Sequence, residues 1–192
     1  MKKTLNVGII GAGFAADFHA EALKRVTGTD VRLVGIVGGN RQRAENLARR
    51  HGIPDVFGSI AELLAQPQID VVCVCVPSGA HADVVIAAAN AGKHVICEKP
   101  LTGSFGEHAN GTAVDDVERT RASMVDIEAA VNSAGVTFCY AENWVYAPAM
   151  TRTKQLLASS GGSILDIRAE EGHSGSHSPL PGAGTLPVED LS

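Results

Sequence analysis

Apolar residues in this chain gather into short runs that are apolar at nearly every position: Leu5 to Ile10, Val31 to Val37, Val71 to Val76, His94 to Cys97 and Val136 to Tyr140. A strand with one wet face alternates apolar and polar side chains, whereas unbroken runs mark strands covered on both faces. Between the runs the spacing becomes helical: from about Phe14, from Arg41 to Arg50, and from Ala80 to Ala91. Strand and helix in alternation predict right-handed crossovers and an α/β fold, a doubly wound parallel sheet.

Punctuating residues set the boundaries. Gly92 follows the Ala80 helix, and Thr112-x-x-Asp115 precedes a long helix that Gly135 ends. On that helix Val117, Met124 and Val131 recur every seventh residue and are expected to form its buried face. Leu101 to Gly111 is Gly-rich and long for a connection, which predicts a mobile surface excursion. After Tyr140 the pattern changes. Pro148 suits the first turn of a helix running to about Ser159, Gly161-Gly162 turns the chain, and Ser163 to Glu171 reads as one more strand. Gly172 to Ser192 is dominated by Gly, Ser and Pro without apolar period and reads as disordered. The expected organisation is therefore a first domain over 1–140, the start of a second, α+β domain over 141–171, and a tail over 172–192.

Composition narrows the partners. Sixteen Lys and Arg against 21 Asp and Glu give a formal charge of -5, so there is no broad attraction for nucleic acid or anionic lipid, and the expected ligand is small. The apolar start of the chain is interrupted by Gly11, Gly13 and Asp17 and falls short of the ~20 residues of a membrane span, so it reads as the first strand of a cytoplasmic protein. Cys73, Cys75, Cys97 and Cys139 all lie in strand-like segments and are expected to be buried thiols; no C-x-x-C pair suggests a metal site. His173 and His177 have ligand-like spacing, but the glycines between them and Pro179 argue against the helix that would align them.

Gly11-Ala12-Gly13-Phe14-Ala15-Ala16 stands directly after the first strand and opens a helix. In G-x-G-x-x-A, Gly11 permits the tight turn, Gly13 leaves room for a pyrophosphate, and Ala16 lets helix and strand approach. The backbone N–H groups of Phe14, Ala15 and Ala16 then face the phosphates. The bare motif also fits a Gly-rich turn with no ligand; its place between strand and helix favours a Rossmann dinucleotide site. A site for NAD usually has an Asp or Glu after the second strand, but here Val37-Gly38-Gly39-Asn40-Arg41 carries none. That turn leans toward NADP over NAD, with Arg41 or Arg43 available to a 2'-phosphate. The other reading of these arginines is a solvated helix face beside Glu45.

The combination of Gly11-x-Gly13-x-x-Ala16 with His19, Val76-Pro77-Ser78-x-x-His81, Ala91-Gly92-Lys93-His94-Val95 and Glu98-Lys99-Pro100 resembles the glucose-fructose oxidoreductase, inositol dehydrogenase and rhizopine-catabolism family (Gfo/Idh/MocA) from about residue 4 to 178. The resemblance implies a two-domain NAD(P)-dependent oxidoreductase acting on sugars, cyclitols or related polyols, homo-oligomeric in full-length relatives. It implies that Lys99 hydrogen-bonds the reacting hydroxyl, that Glu98 lies on the nicotinamide side, and that the Lys99-Pro100 bond is cis. A lysine suits that position because its amine can share or accept the alcohol's proton as hydride leaves. Pro77, Ser78 and His81 would border the cofactor ribose, although a histidine near a helix start also occurs without a ligand. His19, one turn past the glycines, is equally a packing position. Asn143 and Tyr146 fall where the second domain would begin and substrate could be reached, with Trp144 read as interdomain packing.

The family's second domain also supplies an Asp and a nearby acid/base His, for which this chain has no counterpart, and the likeness fades after about Pro179. A premature stop, a shifted frame or a fragment would each give that junction, and turnover by the chain itself is expected to be weak or absent. Two other classes share the architecture: a glycosidase using bound nicotinamide for transient oxidation, and a non-catalytic cofactor-binding protein.

Overall fold

The computed structural model describes residues 4–103, 113–168 and 170. Its strands are β1 (Thr4–Ile10), β2 (Asp30–Val37), β3 (Asp55–Val56), β4 (Val71–Val74), β5 (His94–Cys97) and β6 (Phe138–Tyr140). They form one sheet in the order β3-β2-β1-β4-β5-β6, and every pairing is parallel. This is the doubly wound Rossmann order, reversing between β1 and β4. The helices are α1 (Phe14–Leu23), α2 (Arg41–His51), α3 (Ile60–Leu64), α4 (His81–Asn90), α5 (Ala113–Ala134) and α6 (Pro148–Ser160).

Successive strand residues point to opposite faces, so the unbroken apolar runs feed two cores. On one face Val7, Ile9, Val71, Cys73 and Cys75 pack with Ala16 and Ala20 of α1 and Ala44, Leu47 and Ala48 of α2. On the other, Ile10, Val72, Val74, Val95 and Cys97 meet Leu63 and Leu64 of α3, Val84, Val85 and Ala88 of α4 and Ile127 of α5. Small residues dominate α1 and α4 where they lie on the sheet, which lets helix and strand come close. Polar ties fix the helix ends. Asp17 on α1 accepts from Arg50 at 2.7 Å and from His51 Nε2 at 2.6 Å at the end of α2. The bond from His51, followed by the Arg50 contacts, holds the Asp17 carboxyl below its usual range against the opposing effect of burial. Lys93 is buried, and its ammonium donates to the carbonyls of Gln66 at 2.7 Å and Ile69 at 2.9 Å.

Several expectations are corrected. The buried face of α5 is centred on Ile127 with Val131 beside it, while Val117 and Met124 are exposed. A seven-residue repeat drifts around a helix, and only its last member reaches the core here. Three of the cysteines are buried, but Cys139, on the edge strand β6, is exposed. Residues 161–168 follow α6 without regular structure, in place of the expected strand. A strand needs a neighbour for its N–H and C=O groups, and among the described residues this segment has no ladder partner. The cap expected at Thr112, most of the 101–111 excursion, and the His173 to Ser192 segment lie outside the described residues.

The chain divides into two compact units, Met1–Asn143 and Trp144–Ser192. In the second, α6 starts on Pro148, ends at Gly161 in the left-handed conformation, and has no buried residue. Among the described residues no helix is long and apolar enough to cross a membrane.

Candidate functional site

In a parallel sheet all strands end on the same edge, so the loops after β1, β2, β4, β5 and β6 emerge together. Backbone bonds continue one residue past the ladder and stitch these loop starts to one another. Gly11 N–H donates to Val37 O at 2.8 Å, Cys75 N–H to Ile10 O at 2.7 Å, Glu98 N–H to Val74 O at 3.0 Å and Ala141 N–H to Cys97 O at 2.8 Å. The crevice at the reversal between β1 and β4 is where folds of this type take ligands.

The two motif glycines are required for different reasons. Gly11 has φ +121°, and a Cβ there would lie 2.3 Å from the carbonyl oxygen of Cys75, so the fold itself demands glycine. Gly13 has φ -98° and no atom within 4 Å of where a Cβ would be, so neither backbone nor packing explains its missing side chain. What that glycine preserves is open space at the start of α1. Gly13 caps α1 without a side-chain bond, which leaves the N–H groups of the first turn facing that space. Ala16 is fully buried against the sheet, Ala15 half-buried, and Phe14 is exposed with its ring stacked on Phe18 at 6.5 Å. A cradle that a Cβ would fill, at a helix start and a switch point, fits a pyrophosphate.

Beyond β2, a Cβ on Gly38 would lie 2.7 Å from the Cβ of Ala12, so this glycine lets the second turn close onto the first. Asn40 caps α2 by accepting the Arg43 N–H at 3.0 Å. Arg41 is paired with Glu45 at 3.0 Å, as the helix-face reading anticipates. Arg43 is exposed, and among the described residues its guanidinium has no ion-pair partner.

At the other half of the edge, Pro77 leads into a short 3-10 turn, Ser78–Ala80, which runs into α4. Glu98 and Lys99 follow β5, Lys99 is exposed, and the Lys99-Pro100 bond is cis. The Glu98 carboxylate is held at both oxygens: Oε1 lies 2.8 Å from His19 Nε2, and Oε2 accepts the Lys99 N–H at 3.0 Å. Burial first, and the Glu98 charge in addition, push the thiols of Cys73 and Cys97 up to about 12, and burial raises Cys75 as well. None of the three offers a thiolate nucleophile.

His81 is placed differently from the position expected at a cofactor ribose. It is 1% exposed, with Nε2 2.9 Å from Val76 O and Nδ1 2.8 Å from Pro100 O. Both ring nitrogens are occupied by the protein, so its influence on the edge passes through the two backbone segments it joins. The structure thus brings together the Gly11 turn, the Gly38 to Arg41 turn, Pro77-Ser78 and Glu98-Lys99, with His81 behind them. His19 is the residue that sequence reasoning undervalued, because its partner is 79 positions away. Among the described residues no group of three His, Cys, Asp or Glu could hold a metal ion.

Comparison with known proteins agrees with this fold. The model of the GFO_IDH_MocA family, described as an oxidoreductase family with an NAD-binding Rossmann fold, matches residues 5–127. The chain belongs to that family. It is 34% identical over 161 residues to D-xylose 1-dehydrogenase (NADP(+)) 2 of Haloferax volcanii, an alignment covering 83% of this chain and 44% of that protein. It is 36% identical over 98 residues to myo-inositol 2-dehydrogenase of Thermotoga maritima, covering 51% of this chain and 29% of the relative. The solved complex of levoglucosan dehydrogenase with NADH and levoglucosan superposes with a TM-score of 0.69 at 29% identity, over 81% of this chain and 40% of that one. The chain therefore spans less than half the length of these relatives.

Proposed function

We propose that this chain forms the cofactor domain of an NAD(P)-dependent oxidoreductase that moves hydride between a sugar, cyclitol or related polyol and a nicotinamide. The observation that carries the reading is Gly13, a glycine that keeps open space at the start of α1 and that no packing contact requires, on the same sheet edge as Lys99. The sugar and inositol dehydrogenases among the relatives support the substrate class.

The residues divide the work along the edge. Gly11 and Gly13 with the N–H groups of Phe14, Ala15 and Ala16 hold the pyrophosphate, while Gly38, Asn40 and Arg41 border the adenosine. With no carboxylate in the second turn to repel a 2'-phosphate and with Arg43 lacking an ion-pair partner among the described residues, that turn favours NADP over NAD. Pro77, Ser78, Glu98 and Lys99 border the nicotinamide half. A nicotinamide held there would supply the hydride chemistry between alcohol and carbonyl. Lys99 Nζ takes the hydroxyl proton in the oxidative direction and gives it back in the reductive one.

Calorimetric titration of the purified chain with NADPH and with NADH tests the cofactor assignment. Saturable binding that favours NADPH, and loses that preference in Arg43→Ala but not in Arg41→Ala, is the expected result. Absence of binding to both would sink it. Where polyol oxidation is measurable, Lys99→Ala is expected to lower kcat about a hundredfold or more with cofactor affinity retained.

A further inference from the structure

A bonded chain runs from the interior of β4 through α1 to the Glu98-Lys99 segment. His19 stands in its middle, 15% exposed in its side chain, against 19% for Glu98. A residue placed there for packing alone has no need to match its polar atoms, but both of its ring nitrogens face a partner. Nε2 lies 2.8 Å from Glu98 Oε1, and Nδ1 lies 3.9 Å from Cys73 Sγ.

The roles follow from the chemistry of the two neighbours. A carboxylate only accepts hydrogen bonds, so the nitrogen facing it carries the proton. The other nitrogen of a neutral imidazole is then an acceptor, and Cys73 offers it an S–H. The Cys73 thiol, pushed up to about 12 chiefly by burial, keeps that hydrogen at neutral pH. One tautomer therefore satisfies the whole chain: Cys73 S–H to Nδ1, Nε2–H to Glu98 Oε1, and Lys99 N–H to Glu98 Oε2. The Glu98 backbone is fixed as well, its N–H donating to Val74 O at 3.0 Å and its C=O accepting from Cys97 Sγ at 3.4 Å.

We propose that His19 is a positioning residue of the reaction centre, holding the Glu98 carboxylate, and through it the Lys99 segment, toward the nicotinamide end of the bound cofactor. This rests on the proposed oxidoreductase function. In a dinucleotide site built from two mononucleotide halves, the β1–β2 half takes the adenosine, which leaves the β4–β5 half, where Glu98 emerges, to the nicotinamide. A fixed negative charge there favours the cationic, oxidised ring over the neutral, reduced one. Loss of His19 frees the carboxylate to turn toward water, which lowers that preference without touching the phosphate cradle.

The test titrates the full chain and its His19→Ala, His19→Gln and Glu98→Gln variants with NADP+, with NADPH, and with 2'-phospho-ADP-ribose, which lacks the nicotinamide. All variants are expected to bind the fragment like the wild type. In His19→Ala the ratio of the NADP+ to the NADPH dissociation constant should rise about three- to tenfold, as in Glu98→Gln, while His19→Gln, whose amide can still donate to Glu98, stays near wild type. An unchanged ratio in His19→Ala, equal weakening of all three ligands, or a His19→Gln indistinguishable from His19→Ala would each overturn the proposal. Failure of the wild type to bind even the fragment would overturn the cofactor reading itself, and this proposal with it.

Discussion

Alanine at Gly11 and alanine at Gly13 are the same chemical change, two residues apart in one turn, yet the structure assigns them opposite consequences. At Gly11 the new methyl would sit 2.3 Å from the Cys75 carbonyl oxygen and 2.6 Å from its carbonyl carbon, both backbone atoms, at φ +121°. The clash cannot be relieved by rotating a side chain, so β1 and β4 must separate. Overpacking of a tight interior costs about 1–3 kcal/mol, and holding a non-glycine residue at such a φ about 1–3 more. The sum, about 2–6 kcal/mol, is a large part of the ~5–15 kcal/mol that holds a domain together, and corresponds to a fall of roughly 5–20 °C in Tm. At Gly13 the methyl meets nothing within 4 Å and φ is -98°, so the stability change is limited to the poorer cap alanine makes, below about 1 kcal/mol. The methyl does occupy the space assigned to the pyrophosphate. Thermal unfolding and calorimetric titration with NADPH on both variants decide the matter. Gly13→Ala should melt within roughly 4 °C of the wild type and bind NADPH at least about tenfold more weakly. If Gly13→Ala binds NADPH as the wild type does, or unfolds as early as Gly11→Ala, the division of labour between the two glycines is refuted.

Further outcomes follow from the ties around this core. Asp17 is held below its ordinary value first by its bond from His51, so its contribution to stability is fully present above the unfolded value near 3.8 and disappears as pH falls below it. Asp17→Asn should therefore be less stable near neutrality and converge on the wild type in acid; a constant difference across an equilibrium-unfolding pH series would contradict this. Lys93→Met keeps the stem but orphans the carbonyls of Gln66 and Ile69, and is expected to cost about 2–4 kcal/mol in urea denaturation. Brief treatment of the native chain with iodoacetamide should label Cys139 and spare the buried Cys73, Cys75 and Cys97 in a peptide map, and all four should react in denaturant.

Much of this was legible because parallel sheets write their burial plainly. The apolar runs located five of the six strands, and the glycines at 52, 92 and 135 that adopt positive φ sit where helices end. What escaped was short or distant. β3 has two residues and α3 five, too few for any period to register. A signal for α3 was nevertheless present: Ser59-x-x-Glu62 has the capping-box pattern, with the Ser59 side chain accepting from the Glu62 N–H, while the Glu62 carboxylate accepts one residue earlier, from the Gly58 N–H. The heptad on α5 misled because exposed valines are common on long helices and periodicity does not say which face meets the sheet. At the site, the glycines and Lys99 could be placed from their neighbours in sequence. The roles of His19 and His81 could not, since each depends on partners brought close only by folding: Cys73 and Glu98 for one, Val76 and Pro100 for the other.

The stitching of the loop starts bears on how far this edge can be redesigned piece by piece. Gly11 is hydrogen-bonded to β2 and fits against Cys75 beyond β4, while the residue before Glu98 belongs to a strand aligned on Val74. A phosphate-binding turn copied into another protein without the residue that stands opposite its first glycine would meet a different backbone and lose its shape. The transferable unit is thus the glycine turn together with the ends of β2, β4 and β5. In the proposed cofactor site, exchange of preference falls instead to Gly39 and Arg43, exposed positions beside the second turn, since Gly38 is itself closed onto Ala12.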